Sequence, residues 1–330
     1  MSDLSTSYLG LQLKNPLIVS ASPLSAYIDN IKRMEQSGAS AVVLPSLFEE
    51  QIELNNLGYR GKTPDESVLP EELKHIPNMQ EYNQGASGYL AHIYQAKRAV
   101  NIPIFASING YYSGGWVQYA RLVEASGADA LELNIYYLAS KPHISGADIE
   151  RMYLDLVQDV KSSVRIPVAV KISPYFSALA HMAVQLDQAG VNGLILFNRF
   201  YQPDFNITER TIESNLDLSS SDELRLRLRW TALLCSQLQA DIGVTGGVHT
   251  GEDVLKALFA GAKAVLIASV LLEYGIEHIS RLLQEMQMWL QANGIETLAE
   301  IVGTMSQSAV ADSAALERAN YMNVLRSLEG

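Results

Sequence analysis

The chain has 330 residues, 48% of them hydrophobic and 18% charged, with a formal net charge of −12. That is ample for a large core, in two small domains or one large α/β barrel, while the acidic balance argues against a phosphate-backbone binder, which needs clustered Lys and Arg. The lone Cys235 excludes disulfides, a structural zinc and a cysteine-ligated iron–sulfur cluster on this chain alone.

The opening residues, MSDLSTSYLG, lack the basic and apolar regions of a signal peptide. No uncharged apolar run approaches the ~20 residues a membrane helix needs, and AVLIASVLL is only strand-sized. The expectation is a soluble, cytoplasmic protein that binds neither membrane nor nucleic acid and holds no metal.

Eight short β-branched runs are predicted as strands, at 16–22, 41–48, 102–109, 130–137, 166–173, 193–200, 242–247 and 264–269. Between most of them lie stretches such as GWVQYARLVEASGA, IERMYLDLVQDVKSS and SALAHMAVQLDQAG, whose apolar residues recur at helical steps. Several strands are continuous apolar runs, as expected when both faces are covered. Eight strand–helix units in one chain favour a (β/α)8 barrel, the TIM-barrel architecture, over a doubly wound sheet. The segments 49–81 and 201–221 exceed ordinary barrel loops and read as insertions at the C-terminal face that cover or build a site. No composition break marks a linker, so residues 1–330 are expected to form a single domain with a C-terminal tail after about residue 305.

Barrel chemistry sits at the C-terminal ends of the strands. In chain order those ends offer Ser20 and Ser22, Ser46, Ser107 and Asn109, then Asn134 with Tyr136 and Tyr137. Lys171 and Ser173 follow, then Asn198 and Arg199, Gly246 and Gly247, and Ala268 and Ser269. A single serine there reads most simply as a satisfied hydroxyl. Lys171 is different, because an unpaired ammonium inside a strand costs several kcal/mol and points to an anionic ligand or a structural ion pair. Asn134 is a poor strand residue whose buried amide needs partners. Gly246-Gly247 at a strand end, before a helix start and next to the strand ending in Ala268-Ser269, reads as a phosphate site. Sugar-phosphate enzymes show that feature too.

The order LGLQLKNPLIVSAS, IPIFASING, GADALELNI, VAVKISPY, LFNRF and TGGVHTGEDVLKALFAGAKAVLIAS resembles the dihydroorotate dehydrogenase family, FMN-dependent (β/α)8 barrels of pyrimidine synthesis. The likeness extends to about residue 305. It implies FMN as cofactor, with Ala21, Ser22 and Ser46 among the flavin-binding positions and Gly246, Gly247, Ala268 and Ser269 around the phosphate. Asn134 and Asn198 become amide contacts to flavin and substrate. Lys171 lies beside the flavin N1 edge, where a cation stabilises the charge of the reduced ring. Soluble relatives are often homodimers, and the electron acceptor is not legible.

The sequence departs from the family on the substrate side. Where the family carries Ser-Cys-Pro-Asn or a serine-bearing equivalent, this chain reads Tyr136-Tyr137-Leu138-Ala139. The base position becomes Tyr137, which either packs or, aided by a cation such as Lys141, His143 or Arg199, transfers a proton; Ser140 and His143 are the next candidate bases. Pro45 replaces a lysine, Arg199 follows the strand-six asparagine as a candidate binder of a small acid, and Asn83 is a loose candidate for the substrate loop. The expectation is an FMN oxidoreductase whose substrate is dihydroorotate or a related acid. A protein that keeps FMN without catalysis, and an aldol-type barrel using Lys171 as a Schiff base, are the alternatives. Flavin colour separates the last from the others, and reduction of bound flavin by substrate separates the first two.

Overall fold

The computed structural model describes residues 1–56, 85–110, 116–200, 202–213, 216–311 and 313–316. Most of the 49–81 insertion, including Asn83 just beyond it, lies outside the described residues.

Eight parallel strands close into a barrel: β1 (Leu17–Val19), β2 (Ala41–Val43), β3 (Ile104–Asn109), β4 (Ala130–Asn134), β5 (Val168–Ile172), β6 (Gly193–Leu196), β7 (Asp241–Thr245) and β8 (Ala264–Ile267). Each pairs with its sequence neighbours, and β8 pairs with β1, which leaves no open edge. Around them run α1 (Ile28–Gln36), α2 (Gly85–Ala99), α3 (Trp116–Ala125), α4 (Gly146–Ser163), α5 (Leu179–Gln188), α6 (Leu224–Leu234), α7 (Gly251–Ala260) and α8 (His278–Ala292). The expected (β/α)8 barrel is therefore present. Alternation along each strand divides the core in two. Residues such as Leu133, Val170 and Leu196 pack outward on the helices, while Phe105, Ala130, Ala169, Ile195 and Leu266 fill the interior.

The bottom of the barrel is plugged by an N-terminal hairpin, Thr6–Tyr8 against Leu11–Leu13. Tyr8 and Leu9 join the interior cluster, and the Leu9 N–H donates to Asp241 Oδ2 at 2.8 Å. Gly193 and Gly243 make room for them: a Cβ there would lie 2.5 Å from Leu9 and 2.7 Å from the Tyr8 hydroxyl. The hairpin fills this end, and among the described residues the cavity lies at the opposite, C-terminal end of the barrel.

Several strands stop earlier than their apolar runs. Pro45, which has no N–H to give a ladder, interrupts 41–48 after Val43, and a two-residue strand resumes at Leu47–Phe48. The run at 130–137 leaves the sheet after Asn134, that at 193–200 after Leu196, and that at 242–247 after Thr245. Two insertions follow strand C-terminal ends. One starts with a helix at Glu49–Asn56, and the other carries the hairpin Asp204–Asn206/Thr211–Glu213. The segment beyond α8 docks on α6 and α7, with Gly303 N–H donating to Leu258 O, Met305 N–H to Phe259 O and Gln307 N–H to Ala232 O. Among the described residues no helix is long and apolar enough to cross a membrane.

Candidate functional site

At the open end lies a cavity of about 320 Å³, at the lower bound of the ~300–1,000 Å³ of cofactor and ligand sites. Ala21, Ser22, Lys171, Arg199, Gly246, Gly247, Ala268 and Ser269 all line it. Residues predicted from five different strand ends therefore meet around one cavity.

Strand register explains part of the gathering. Asn109, Asn134, Lys171 and Ile195 form one row across β3, β4, β5 and β6. Register partners in a parallel sheet share a face, so this row points inward at the top of the barrel. The Lys171 ammonium has no hydrogen bond or ion pair among the described residues. Asn134 Oδ1 and Ser22 Oγ are buried and have no hydrogen-bond partner among the described residues. An unsatisfied buried polar atom costs about 1–3 kcal/mol; Ser22 lines the cavity together with the half-buried Lys171, and Asn134 stands beside Lys171 in the strand register, which points to a polar ligand at this end of the barrel.

Asn198 is 6% exposed, and its Nδ2 donates to Ile135 O and Lys171 O, both at 3.1 Å. Its amide ties the ends of β4 and β5 to the segment after β6, which leaves Oδ1 as the atom available to a ligand. Ser46 lies deeper than expected. Its Oγ meets Ser107 Oγ at 2.8 Å, and Ser107 Oγ reaches Oε1 of the 2%-exposed Glu132 at 2.9 Å. With the Ser107 proton committed to Glu132, Ser46 donates, and the chain is a barrel-interior network rather than part of the cavity wall.

The glycine turn differs in detail from its sequence reading. Gly246 and Gly247 have φ of +85° and +79°, and the space a Cβ would take is filled from behind. At Gly246 it would lie 2.8 Å from an Arg227 guanidinium nitrogen, and at Gly247 2.5 Å from the Leu224 backbone N. The Gly247 N–H donates to Ser219 Oγ at 3.1 Å, so that donor is spent on the protein. The Ser219 N–H in turn donates to Ser269 Oγ at 3.1 Å, and its carbonyl lies 2.5 Å from His249 Nε2. Asp253 closes the turn into α7 by accepting from the N–H groups of His249 and Thr250.

Arg199 is not free to take a substrate carboxylate on its own. Its Nε and Nη2 face Glu223 at 3.3 and 3.2 Å. The same carboxylate is 3.7 Å from Arg227, whose Nε donates to Thr245 O at 2.8 Å and whose Nη1 donates to Glu223 O at 2.6 Å. Burial pulls the Arg227 guanidinium below its ordinary value and Glu223 opposes it; it stays charged at any ordinary pH. Arg227, Glu223 and Ser219 were not predicted as site residues. LRLRLRW reads as a solvated helix face, and only the turn of α6 onto the glycines brings Arg227 inside.

The two tyrosines after β4 point to different places. Tyr137 packs against the helix-side core, its backbone N–H bonds Tyr153, and it is absent from the cavity wall. This placement favours the packing alternative over proton transfer. Tyr136 turns the other way and stacks on Phe200, with centroids 4.2 Å apart, while Tyr175 meets Phe200 edge-on at 5.3 Å. Three aromatic rings from the ends of β4, β5 and β6 thus stand together. Among the described residues no group of three His, Cys, Asp or Glu side chains could hold a metal.

The comparisons with known proteins agree in one direction. A family model described as dihydroorotate dehydrogenase matches residues 3–290. The catalytic subunit of dihydroorotate dehydrogenase B (NAD(+)) of Thermoplasma volcanium is 27% identical over 311 residues, 92% of this chain and 98% of that one. A putative dihydroorotate dehydrogenase A (fumarate) of Aeropyrum pernix is 26% identical over 309 residues, 91% of this chain and 97% of its own. The catalytic subunit of dihydroorotate dehydrogenase B (NAD(+)) of Methanocaldococcus jannaschii is 28% identical over 314 residues, covering 91% and 97%.

Proposed function

The chain belongs to the dihydroorotate dehydrogenase family, and from that premise we propose an FMN-dependent oxidoreductase that acts on dihydroorotate or a related small acid. One observation carries the proposal. Among the described residues the Lys171 ammonium, Asn134 Oδ1 and Ser22 Oγ have no hydrogen-bond partner, and they stand at the C-terminal end of the barrel, where Lys171 and Ser22 line the cavity and Asn134 is the register partner of Lys171. FMN presents what such a site lacks: hydrogen-bonding ring atoms, a ring that turns anionic on reduction, and a phosphate. When bound, it supplies the hydride acceptor for the carbon that is oxidised.

The residues divide the work. Lys171 offers a fixed cation to the ring edge, where a charge preorganised in a dry site contributes most. Asn134 and Asn198 offer amide groups to the ring and to the substrate face, while Ala21 and Ser22 back the ring. Gly246, Ala268 and Ser269 receive the phosphate. Residues 1 to about 305 act as one FMN-binding barrel unit, with a small molecule as the partner in the reaction.

On the substrate side we place Tyr136 rather than Tyr137 at the reacting face, because Tyr136 shares the inward alternation of Asn134. The Arg199–Glu223 pair and the aromatic group at the mouth stand on the side where a small acid, dihydroorotate or a relative of it, would sit. The relatives' names divide between NAD(+) and fumarate, so the electron acceptor is not assigned by similarity.

The test is a titration of the flavin-free protein with FMN, followed by flavin fluorescence. Saturation near one FMN per chain is expected. No change in fluorescence with excess FMN would defeat the proposal.

A further inference from the structure

The wall behind the glycine turn is short of negative charge. Among the described residues Arg199 and Arg227 share one carboxylate, that of Glu223, at 3.2 and 3.7 Å. Arg227 is 5% exposed, and a buried guanidinium with so distant a counter-ion is costly unless another anion completes it. Other acids nearby do not. Asp253 accepts from Ser221 Oγ and two backbone N–H groups, and Asp217 is an exposed residue at the cavity lip. Lys171, which also lines the cavity, adds a cation with no acid partner among the described residues.

Only one residue separates Arg227 from the cavity. Its guanidinium occupies the space a Cβ of Gly246 would fill, and Gly246 itself lines the cavity. The Arg227 Nε also holds the Thr245 carbonyl at the strand end from which the turn starts.

We propose that Arg227 is a positioning residue for the phosphate of the flavin nucleotide, acting through the turn at Gly246, with Glu223 setting how much of its charge the phosphate meets. It rests on the FMN reading above. The glycine turn gives the anion a place to approach, and the guanidinium behind it supplies charge in a buried setting where water screens little. The Glu223 link to Arg199 ties this phosphate wall to the mouth of the site.

The two roles open to Arg227, electrostatic and merely propping the turn, predict opposite signs for Glu223→Gln. Neutralising Glu223 leaves both guanidiniums uncompensated and should tighten FMN, whereas loss of a prop should loosen it. Binding of FMN and of riboflavin, which lacks the phosphate, is measured on the full-length flavin-free protein for wild type, Arg227→Gln, Arg227→Lys and Glu223→Gln. Arg227→Gln should weaken FMN about tenfold, equivalent to about 1.4 kcal/mol, with riboflavin changed less than about twofold. Arg227→Lys should recover part of the loss, and Glu223→Gln should tighten FMN alone. Equal loss of FMN and riboflavin in Arg227→Gln, or selective loosening of FMN in Glu223→Gln, would overturn the inference while leaving the cofactor reading intact. If Arg227→Gln fails to fold, the sign in Glu223→Gln decides. A wild-type protein that binds neither flavin defeats the underlying reading, and this inference with it.

Discussion

Asn134 and Lys171 are register partners on adjacent parallel strands, and neither the Asn134 Oδ1 nor the Lys171 ammonium has a partner among the described residues. A carbonyl oxygen and a cation set side by side offer both kinds of contact that a flavin ring edge needs. Because the strand ladder fixes their spacing, they are held before any ligand arrives.

Replacing Lys171 with Met should therefore make bound flavin harder to reduce. The reduced ring loses its cation, and the midpoint potential should fall by about 30 mV or more, since 30 mV is about 1.4 kcal/mol for a two-electron couple. Lys171→Arg should retain part of the effect. A potentiometric titration of the FMN-loaded proteins reads this directly, and an unchanged potential in Lys171→Met would place the ring away from the ammonium.

Tyr136 and Tyr137 should separate in the same assay. Tyr137→Phe keeps the ring in its packing site and should leave the rate of flavin reduction, and its pH profile, unchanged. Tyr136→Ala breaks the stack on Phe200, worth about 0.5–1.5 kcal/mol beyond burial, and should alter substrate binding. An alkaline limb in the rate that vanishes in Tyr137→Phe would return the base to Tyr137.

Gly247→Ala should cost stability as well as flavin. Its φ is +79°, and a Cβ would stand 2.5 Å from the Leu224 backbone, which cannot move aside as a side chain does. A loss of about 1–3 kcal/mol is expected in urea unfolding of the flavin-free protein. Unfolding that coincides with wild type would mean the turn and α6 are not in contact.

Asp241 gives the pH-dependent test. Burial raises its carboxyl above the ordinary value, against the Leu9 N–H bond and Lys263, which lower it. A raised folded-state value favours the protonated form. That contribution is present below the unfolded value of about 3.9 and is lost as pH rises through the folded value, so at neutral pH the ionised group is a net burden. Asp241→Asn keeps an oxygen for the Leu9 N–H and should melt higher than wild type at pH 7, the difference shrinking as the pH falls through the raised folded-state value and gone below about pH 4. A variant that melts lower at pH 7 would show that the ionised carboxylate stabilises the hairpin plug.

Much of this was legible in the sequence. The barrel could be read because both-face burial leaves continuous β-branched runs, and the strand ends then place polar residues at the mouth. Exact strand ends were less legible, because hydrophobic pattern does not register where a chain leaves a sheet: Thr245 is followed by two glycines at positive φ, and Pro45 breaks a run that is apolar on both sides. Alternation, carried two residues past Asn134, would have put Tyr136 and not Tyr137 on the inner face. Arg227 was hidden for a different reason. Its side chain becomes a buried neighbour of Gly246 only through tertiary packing of α6, and an arginine among alternating leucines carries no local sign of that.

Anaerobic mixing of the FMN-loaded protein with dihydroorotate, recorded as the absorbance of the oxidised flavin, reads hydride transfer into the site. The oxidised band should be lost, and orotate should appear in an amount equal to the flavin reduced. A band that persists under excess dihydroorotate across neutral and alkaline pH, yet disappears with dithionite, would contradict that hydride transfer.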